Sequence, residues 1–240
     1  MKSSIIIPFL FFFINAFAQS TTSEEINIDV ETMIFVQGGT FTMGCTDEQV
    51  RYCENDENPP HQVTVSSFYI GKYEVTQEQW RAIMGNSPAH FRGSNLPVEN
   101  VSLREIKKFI RKLNKKTGKK YRLPTEAEWE FAARGGIHSK GYLFSGSNNI
   151  DNVAWYDKNS NHKTHTVGTK APNELGIYDM NGNVFELCSN RIFDYSHRPP
   201  QYERRSKGGC WNFVPYIRGF LITSHFRDGR FGFRLALDCF

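Results

Sequence analysis

The chain has 240 residues, of which 39% are hydrophobic and 22% are charged, and its formal net charge is +4. This composition excludes a disordered or low-complexity protein, because it is typical of a globular domain. The mild charge gives no support for binding to nucleic acid or to an anionic membrane surface. At this length, folding should bury about 70% of the surface of the unfolded chain, which is enough for one substantial core.

Residues 1–18 have the parts of a secretory signal peptide. Lys2 supplies the positive charge, an apolar run follows, and Ala16 and Ala18 form a small-x-small cleavage site. A membrane anchor is the alternative, but the apolar run is only about half as long as the ~20 residues that a span requires. We therefore expect cleavage near Ala18, a loose lead-in over 19–30, and a mature chain in the periplasm or outside the cell, with no membrane span.

The first strands are predicted between the lead-in and the first helix. Residues 33–43 alternate between apolar and polar side chains around Gly38 and Gly39, which is typical of a β-hairpin with a glycine turn. Residues 61–69 carry valines and a phenylalanine among polar residues, and this pattern predicts a further strand.

The sequence has five cysteines, and an exported chain permits disulfides. Cys45 and Cys53 would close a short loop between the first strands, so we expect this pair to form a disulfide. The pairing of Cys188, Cys210 and Cys239 cannot be deduced from the sequence. One of the five must remain unpaired or must bond to another chain.

Three helices are predicted by the capping-box pattern, in which Ser or Thr is followed three residues later by Glu or Gln. The pairs are Thr76–Gln79, Ser102–Glu105 and Thr125–Glu128, and the helices are expected over 77–84, over 103–115 and within 121–136. Apolar residues recur at helical spacing in the second helix, which indicates a face in the core. In the third helix we interpret Glu126, Glu128 and Glu130 as helix-dipole partners and solvent-facing residues.

A cluster of basic residues follows the second capping box. Its members are Lys107, Lys108, Arg111, Lys112, Lys115, Lys116, Lys119 and Lys120. We interpret the cluster as a solvated helix face followed by a turn.

Five segments carry recognisable motifs in order along the chain. They are MIFVQGGTFTMG (33–44), YIGKYEVTQEQW (69–80), YRLPTEAEWEFAARGG (121–136), GIYDMNGNVFE (176–186), and KGGCW (207–211) with GFRLA (232–236). Together they resemble the signatures of the formylglycine-generating-enzyme (sulfatase-modifying factor) family. The resemblance covers residues 31–238. It implies one α+β domain with a loop-rich fold, related to the C-type lectin fold and low in regular secondary structure.

The fourth motif predicts a calcium site. Two acids seven residues apart with a glycine between them can supply the hard oxygens that calcium prefers. Mapped by motif, the family site would use the side chains of Asp179 and Glu186 and the carbonyls of Gly182 and Val184. The alternative is an Asx-turn loop without metal.

The resemblance also implies a second calcium loop. Its ligands would be Asn152 and Val153 at one end and Asn159 and Asn161 at the other. Asn159 stands where the animal enzymes have a carboxylate, so that ligand would contribute an oxygen without a charge. The spacing is also shorter than in those enzymes.

The fifth motif lacks the cysteine pair of the catalytic family members. In those members two thiolates bind a single copper(I), which prefers soft ligands. Phe213 and Arg218 occupy the two positions here, and Cys210 lies three residues before the first. We therefore assign no catalytic residue and expect no copper. Other nucleophile, zinc and phosphate-loop motifs are also absent from the sequence.

These observations predict an exported, non-catalytic member of the family that acts as a binding or scaffold module of the cell envelope. Its partner would be a protein or an envelope complex that the sequence does not identify. The first alternative is a formylglycine-generating oxidase that converts a sulfatase cysteine, and it rests on the resemblance in fold alone. The second is an enzyme of different chemistry in the same cleft, but no group of residues in the sequence supports it.

Overall fold

The computed structural model describes residues 32–46, 60–189, 204–213 and 218–239, and side chains at 204–205 and 218–222 are excluded. The strands are β1 (Met33–Val36), β2 (Gly39–Met43), β3 (His61–Val65), β4 (Phe68–Gly71), β5 (Ala154–Trp155), β6 (Asn181–Gly182), β7 (Phe185–Leu187), β8 (Arg204–Lys207), β9 (Arg218–Ile222), β10 (Phe231–Gly232) and β11 (Ala236–Asp238). The predicted signal peptide and lead-in lie outside these ranges. Cys53 does too, so the disulfide between Cys45 and Cys53 stays a prediction.

The helices are α1 (Gln77–Met84), α2 (Leu103–Thr117), α3 (Glu126–Ala133) and α4 (Ile150–Val153), with a 3-10 turn at Gly136–His138. All three predicted capping boxes form. At each one the Ser or Thr side chain accepts the amide hydrogen of the third helical residue, whose own side chain bonds back to the cap. The three helix predictions are confirmed, although α2 extends to Thr117.

The predicted hairpin over 33–43 is wrong. β1 pairs with β4, through Met33 and Gly71, and β2 pairs instead with β3, through Gly39 and Val65. The chain does not reverse between β1 and β2, because the Gly38 amide donates to the Ser67 side chain (2.9 Å). A Cβ on Gly38 would lie 2.6 Å from the Val65 carbonyl oxygen, so glycine serves a close crossing here and not a turn.

In the described ranges the strands form two larger sheets and two short pairs. The strand orders are β1-β4-β11 and β10-β7-β8-β9, and the pairs are β2-β3 and β5-β6. The connections from residue 137 to residue 184 contain little regular structure, in agreement with the loop-rich fold that the resemblance implies. None of the helices within these ranges is long and apolar enough to cross a membrane.

Two apolar clusters form the core of the described part of the chain. The first packs α1 and α2 against β7 and β10, with Trp80 stacked on Phe109 at a ring distance of 5.2 Å. The predicted apolar face of α2 is buried there, and burial of each large side chain contributes about 2 kcal/mol. The second cluster packs α3, with Trp129 and Phe131, against β1, β3 and β4. β7 lies beside both clusters and carries Glu186 into the interior.

Candidate functional site

Glu186 and Arg234 form a fully buried ion pair at the centre of the domain. β7 and β10 are parallel neighbours, with Gly232 opposite Glu186, and this register brings Arg234 close to that carboxylate. Arg234 Nε donates to Glu186 Oε2 at 2.6 Å, and a second guanidinium nitrogen donates to Oε1. The pair is therefore bidentate, which is the strongest geometry for an arginine and a carboxylate.

The remaining donors around this pair are also used. Arg234 donates to the carbonyl oxygens of Gly71 and Tyr178, each at 3.0 Å. Trp129 Nε1 donates to Glu186 Oε2 at 2.7 Å. Glu186 thus accepts three hydrogen bonds, and a carboxylate offers about four acceptor positions. Its capacity to ligate a metal is correspondingly small unless Arg234 shifts.

Glu74 is a second buried carboxylate next to this pair. Its Oε2 accepts a hydrogen bond from Asn183 Nδ2 (2.6 Å), and its Oε1 accepts one from the Val184 amide (3.1 Å). Burial raises the pKa of Glu74 well above its usual value, and the nearby Asp179 and Glu186 raise it further. The sequence does not predict Glu74 as a site residue. The signal that could have identified it is an acid between Tyr73 and Val75, within the second motif.

Asp179, the first predicted calcium ligand, is the third buried carboxylate. Its backbone is left-handed (φ 57°), and its Oδ2 accepts the Gly168 amide hydrogen at 2.6 Å. Its Oδ1 is buried and has no hydrogen-bond partner among the described residues. Burial raises the pKa of Asp179 to about 6, because the charged form loses its hydration. An unpartnered buried carboxylate oxygen is unusual and fits a missing cation or a proton.

The charges of this cluster leave a deficit of positive charge. Glu74, Asp179 and Glu186 carry three negative charges when ionised, and Arg234 supplies one positive charge, so the sum is −3 + 1 = −2. A divalent cation would balance the sum, and so would two protons. In the described ranges no group of three or more His, Cys, Asp or Glu side chains is arranged to hold a metal ion. Calcium here would need carbonyl ligands, as the resemblance implies.

Gly182 is positioned by the pairing of β6 with β5. Its φ is 78°, and a Cβ there would lie 2.2 Å from the Trp155 carbonyl oxygen. Only glycine fits this approach without a backbone shift. The tight turn at Gly182 and Val184 between the two acids is therefore present, while metal binding by their carbonyls stays a prediction.

The second predicted calcium loop is occupied by local hydrogen bonds. Asn159 Oδ1 accepts the Tyr156 amide hydrogen (2.9 Å), and Asn159 Nδ2 donates to the Ala154 carbonyl (3.0 Å). The Asn152 carbonyl accepts from the Ala171 amide at 2.9 Å. Asn161 is exposed and left-handed, whereas Val153 is buried. This arrangement is an Asx-type turn, and the second metal site stays a prediction.

Phe213 lies at the first position where catalytic relatives have a cysteine. Its ring is 41% exposed and 6.1 Å from the ring of Phe185. Arg218 begins β9, opposite Lys207, and its side chain lies outside the described part. Cys210 is a free, buried thiol whose sulfur donates to Asn212 Oδ1 at 3.2 Å. Burial raises the pKa of Cys210 to about 12, so it stays protonated at neutral pH.

A separate buried network connects α3 to β8. Lys207 Nζ donates to Glu130 Oε2 (3.0 Å), and Arg134 and the Gly44 amide both donate to Oε1. Burial alone would raise the pKa of Glu130, but the charges of Lys207 and Arg134 outweigh it and lower that pKa. The prediction that Glu130 faces solvent is wrong, because the residue is only 3% exposed. A lysine on β8 draws this side chain inward.

Comparison with known proteins agrees with this architecture. Residues 18–239 match the family described as sulfatase-modifying factor enzyme 1-like domain. Chaperone protein LppX of Paenibacillus barcinonensis is 36% identical in an alignment 231 residues long. The alignment covers 75% of this chain and 79% of that protein. Two solved structures superpose over 86% of this chain. Treponema denticola variable protein 1 does so over 95% of its own length with 31% identity and a TM-score of 0.74. PvdO from Pseudomonas aeruginosa does so over 94% with 28% identity and a TM-score of 0.71. The predicted fold class is confirmed.

Proposed function

Because the chain belongs to the sulfatase-modifying factor enzyme 1-like family and lacks both thiolates of its catalytic members, we propose that it is a non-catalytic binding or scaffold module. The observation that carries this proposal is Phe213, an aromatic ring packed near Phe185 where a copper ligand would stand. The name of the relative LppX, a chaperone protein, supports a role in binding another protein. The alternative is a formylglycine-generating oxidase, which would need another route to a copper site.

The oxidase alternative predicts an activity that we expect to be absent. Copper(I) needs soft ligands, whereas Phe213 offers an apolar ring and Arg218 a permanent positive charge. Cys210 does not replace them, because its thiol is buried and protonated. The purified protein, incubated aerobically with copper and a Cys-x-Pro-x-Arg peptide, should convert no more peptide than copper alone. Mass spectrometry of the peptide measures this.

The control for that assay is the double variant Phe213→Cys with Arg218→Cys. It tests whether the scaffold could still bring two thiolates together, and gain of stoichiometric copper(I) binding would show that the missing side chains are the cause. Turnover by the unmodified protein above the copper control would contradict the proposal and favour the oxidase.

We further propose that the protein acts after export. The signal-peptide pattern supports this, with a mature chain that begins at Gln19. Intact-mass spectrometry of protein expressed with its full N-terminus should show the loss of residues 1–18. Retention of those residues on the exported protein would contradict this proposal. A pull-down with the mature protein from an envelope extract, followed by reconstitution with the purified candidate, would then identify the partner.

Calcium is the metal that we propose for the loop from Asp179 to Glu186. The orphaned Asp179 Oδ1 and the surplus of two negative charges support it. The residues that would hold it are Asp179 and the Gly182 and Val184 carbonyls, and Glu186 would join them only if Arg234 shifts. Bound calcium would supply structural charge balance there, and no chemical step depends on it.

Calcium at a saturating concentration should raise the melting temperature relative to chelator, because a ligand that binds only the native state stabilises it. At 100-fold excess over Kd the gain in the free energy of unfolding is about 2.7 kcal/mol. For a domain of this size that corresponds to a rise of about 5–11 °C in the melting temperature. Asp179→Asn should remove most of the shift while leaving the Glu186–Arg234 pair intact. Glu78→Gln, which removes one exposed carboxylate outside both predicted metal loops, is the matched control. An unchanged melting temperature in the wild type would argue for protons as the balancing charge.

A further inference from the structure

A cavity of about 580 Å³ lies between the first three turns of α2 and the loop that follows β9. Side chains that line it are Arg104, Glu105, Lys108, Arg111, His225 and Arg227. The volume lies in the range of small-molecule sites, which are usually lined by apolar residues. Each described residue that lines this cavity has a polar or charged end group, so the cavity suits a polar ligand.

The cations of the cavity outnumber its carboxylates. Glu105 is the one acid among the described residues of the lining, and both of its oxygens accept hydrogen bonds. Oε1 accepts from Arg227 at 2.7 Å, and Oε2 accepts from the amide and hydroxyl of Ser102. Arg104, Lys108 and Arg111 are exposed and form no ion pair with any residue in the described ranges. The formal charge of the lining is +4 − 1 = +3, with His225 neutral.

These three cations point along one strip of α2, because 104, 108 and 111 are spaced by four and three residues. Lys108 and Arg111 belong to the basic cluster that the sequence predicts to be solvated, and Arg104 lies one helical turn before Lys108. What the sequence could not show is the opposite wall, where His225 and Arg227 arrive from a distant part of the chain.

The opposite wall is held in place without a ligand. The Arg104 amide donates to the Ser224 carbonyl (3.4 Å), and the Asn100 amide donates to the Asp228 carbonyl (3.1 Å). The ion pair of Arg227 with Glu105 is a third contact between the same two segments. Because this wall is ordered before a ligand binds, binding does not have to supply the free energy of ordering it.

We propose that this cavity binds a small polyanion whose charged groups are phosphate or sulfate. Guanidinium groups match such oxygens in a bidentate geometry, and the lysine adds a point charge. The N-terminal end of α2 adds partial positive charge. A surplus of three charges and a volume far larger than one oxyanion require several anionic groups on one ligand. Free polyphosphate and phosphorylated or sulfated sugars share this chemistry. None of the lining residues belongs to the predicted metal loops or to positions 213 and 218, so this proposal is independent of the proposed function.

Isothermal titration with tripolyphosphate tests the proposal on the mature protein. The triple variant Arg104→Gln, Lys108→Gln, Arg111→Gln should bind at least about tenfold more weakly than wild type. The matched control is Lys107→Gln, Lys115→Gln, Lys116→Gln, which removes the same charge from the same helix outside the cavity. It should retain affinity within about twofold. Circular dichroism verifies that both variants fold, which is expected because all six side chains are exposed.

Further arms of the experiment separate the possible sources of the anion. A trisulfated disaccharide and vesicles with anionic phospholipid are titrated beside tripolyphosphate at physiological ionic strength, where diffuse surface charge is largely screened. Tighter binding of the disaccharide, lost in the cavity variant, would assign the site to a sulfated sugar. Equal loss of affinity in the two triple variants would overturn the proposal. So would the failure of wild type to bind either small polyanion, with or without binding to vesicles.

Discussion

Arg234→Met should lower the free energy of unfolding by about 3–5 kcal/mol, which is the expected effect of removing one partner from a buried ion pair. Arg234 and Glu186 have side-chain exposures of 0% and 1%. The substitution leaves Glu186 charged in the interior beside Glu74 and Asp179. It also removes the donors to two backbone carbonyls. Urea unfolding, followed by circular dichroism, measures the loss.

An exposed ion pair of the same type provides the control. Arg227→Met removes a guanidinium from Glu105, but the side chain of Arg227 is 48% exposed. Exposed pairs contribute at most about 1 kcal/mol, so this variant should be nearly as stable as wild type. Arg234→Lys should also be clearly destabilised, because an ammonium cannot reproduce the bidentate geometry. Equal stability of the two methionine variants would contradict the central role of the buried pair.

The helices could be predicted because the signals that define them are local. Each capping box involves residues three apart, and the apolar repeat of α2 selects its buried face within one element. The bonds around Thr76, Ser102 and Thr125 confirm this. No distant contact was needed to place these helices, and tertiary packing then agreed with the local preference.

Strand pairing could not be predicted in the same way, because partners are chosen over long distances. The pattern of residues 33–43 suits a hairpin, and nothing local excludes one. The structure pairs its two halves with β4 and β3 because Gly38 fits against Val65 and Ser67. The local pattern predicts a turn at this glycine, whereas its function is to permit a close backbone crossing.

The sequence predicts which positions belong to the site, but it does not predict the hydrogen bonds that connect them. The motifs could identify Asp179 and Glu186, yet they could not show that Glu186 is already bound by Trp129 and Arg234. Those partners come from the third and fifth motifs. Glu74 comes from the second motif, and its carboxylate bonds to the turn that contains Val184. The motifs thus specify a buried polar network, and such networks need all of their members.

Glu99 is a further buried carboxylate, and it lies outside that network. Its side chain is fully buried, and its Oε1 accepts the Phe91 amide hydrogen at 2.9 Å. Its Oε2 has no hydrogen-bond partner in the part of the chain that the structure describes. Burial raises the pKa of Glu99 to about 7, and backbone amides of Phe91 and His90 only partly offset this effect. Between pH 4.5 and 7 the folded chain therefore retains a proton here that the unfolded chain has released.

This difference fixes the sign of the pH dependence. The folded state binds more protons than the unfolded state in that window, so stability is fully present below the unfolded pKa and falls as pH rises through the folded pKa. Glu99→Gln carries no titrating group. We expect the variant to match wild type near pH 4 and to become the more stable protein by up to about 3 kcal/mol at pH 8. The carboxylate of Asp179 contributes with the same sign in both proteins, so the difference between them isolates Glu99.

Urea unfolding at one-unit intervals from pH 4 to 8, in the presence of a chelator, measures this difference. The chelator keeps any metal at the Asp179 loop from adding its own pH dependence. Glu78→Gln, an exposed glutamate in the first turn of α1, serves as the matched control and should leave the pH profile nearly unchanged. If Glu99→Gln has the same pH profile as wild type, or is the less stable protein at pH 8, then the proton is not held at Glu99. The unpartnered Oε2 would in that case need another donor, such as an ordered water.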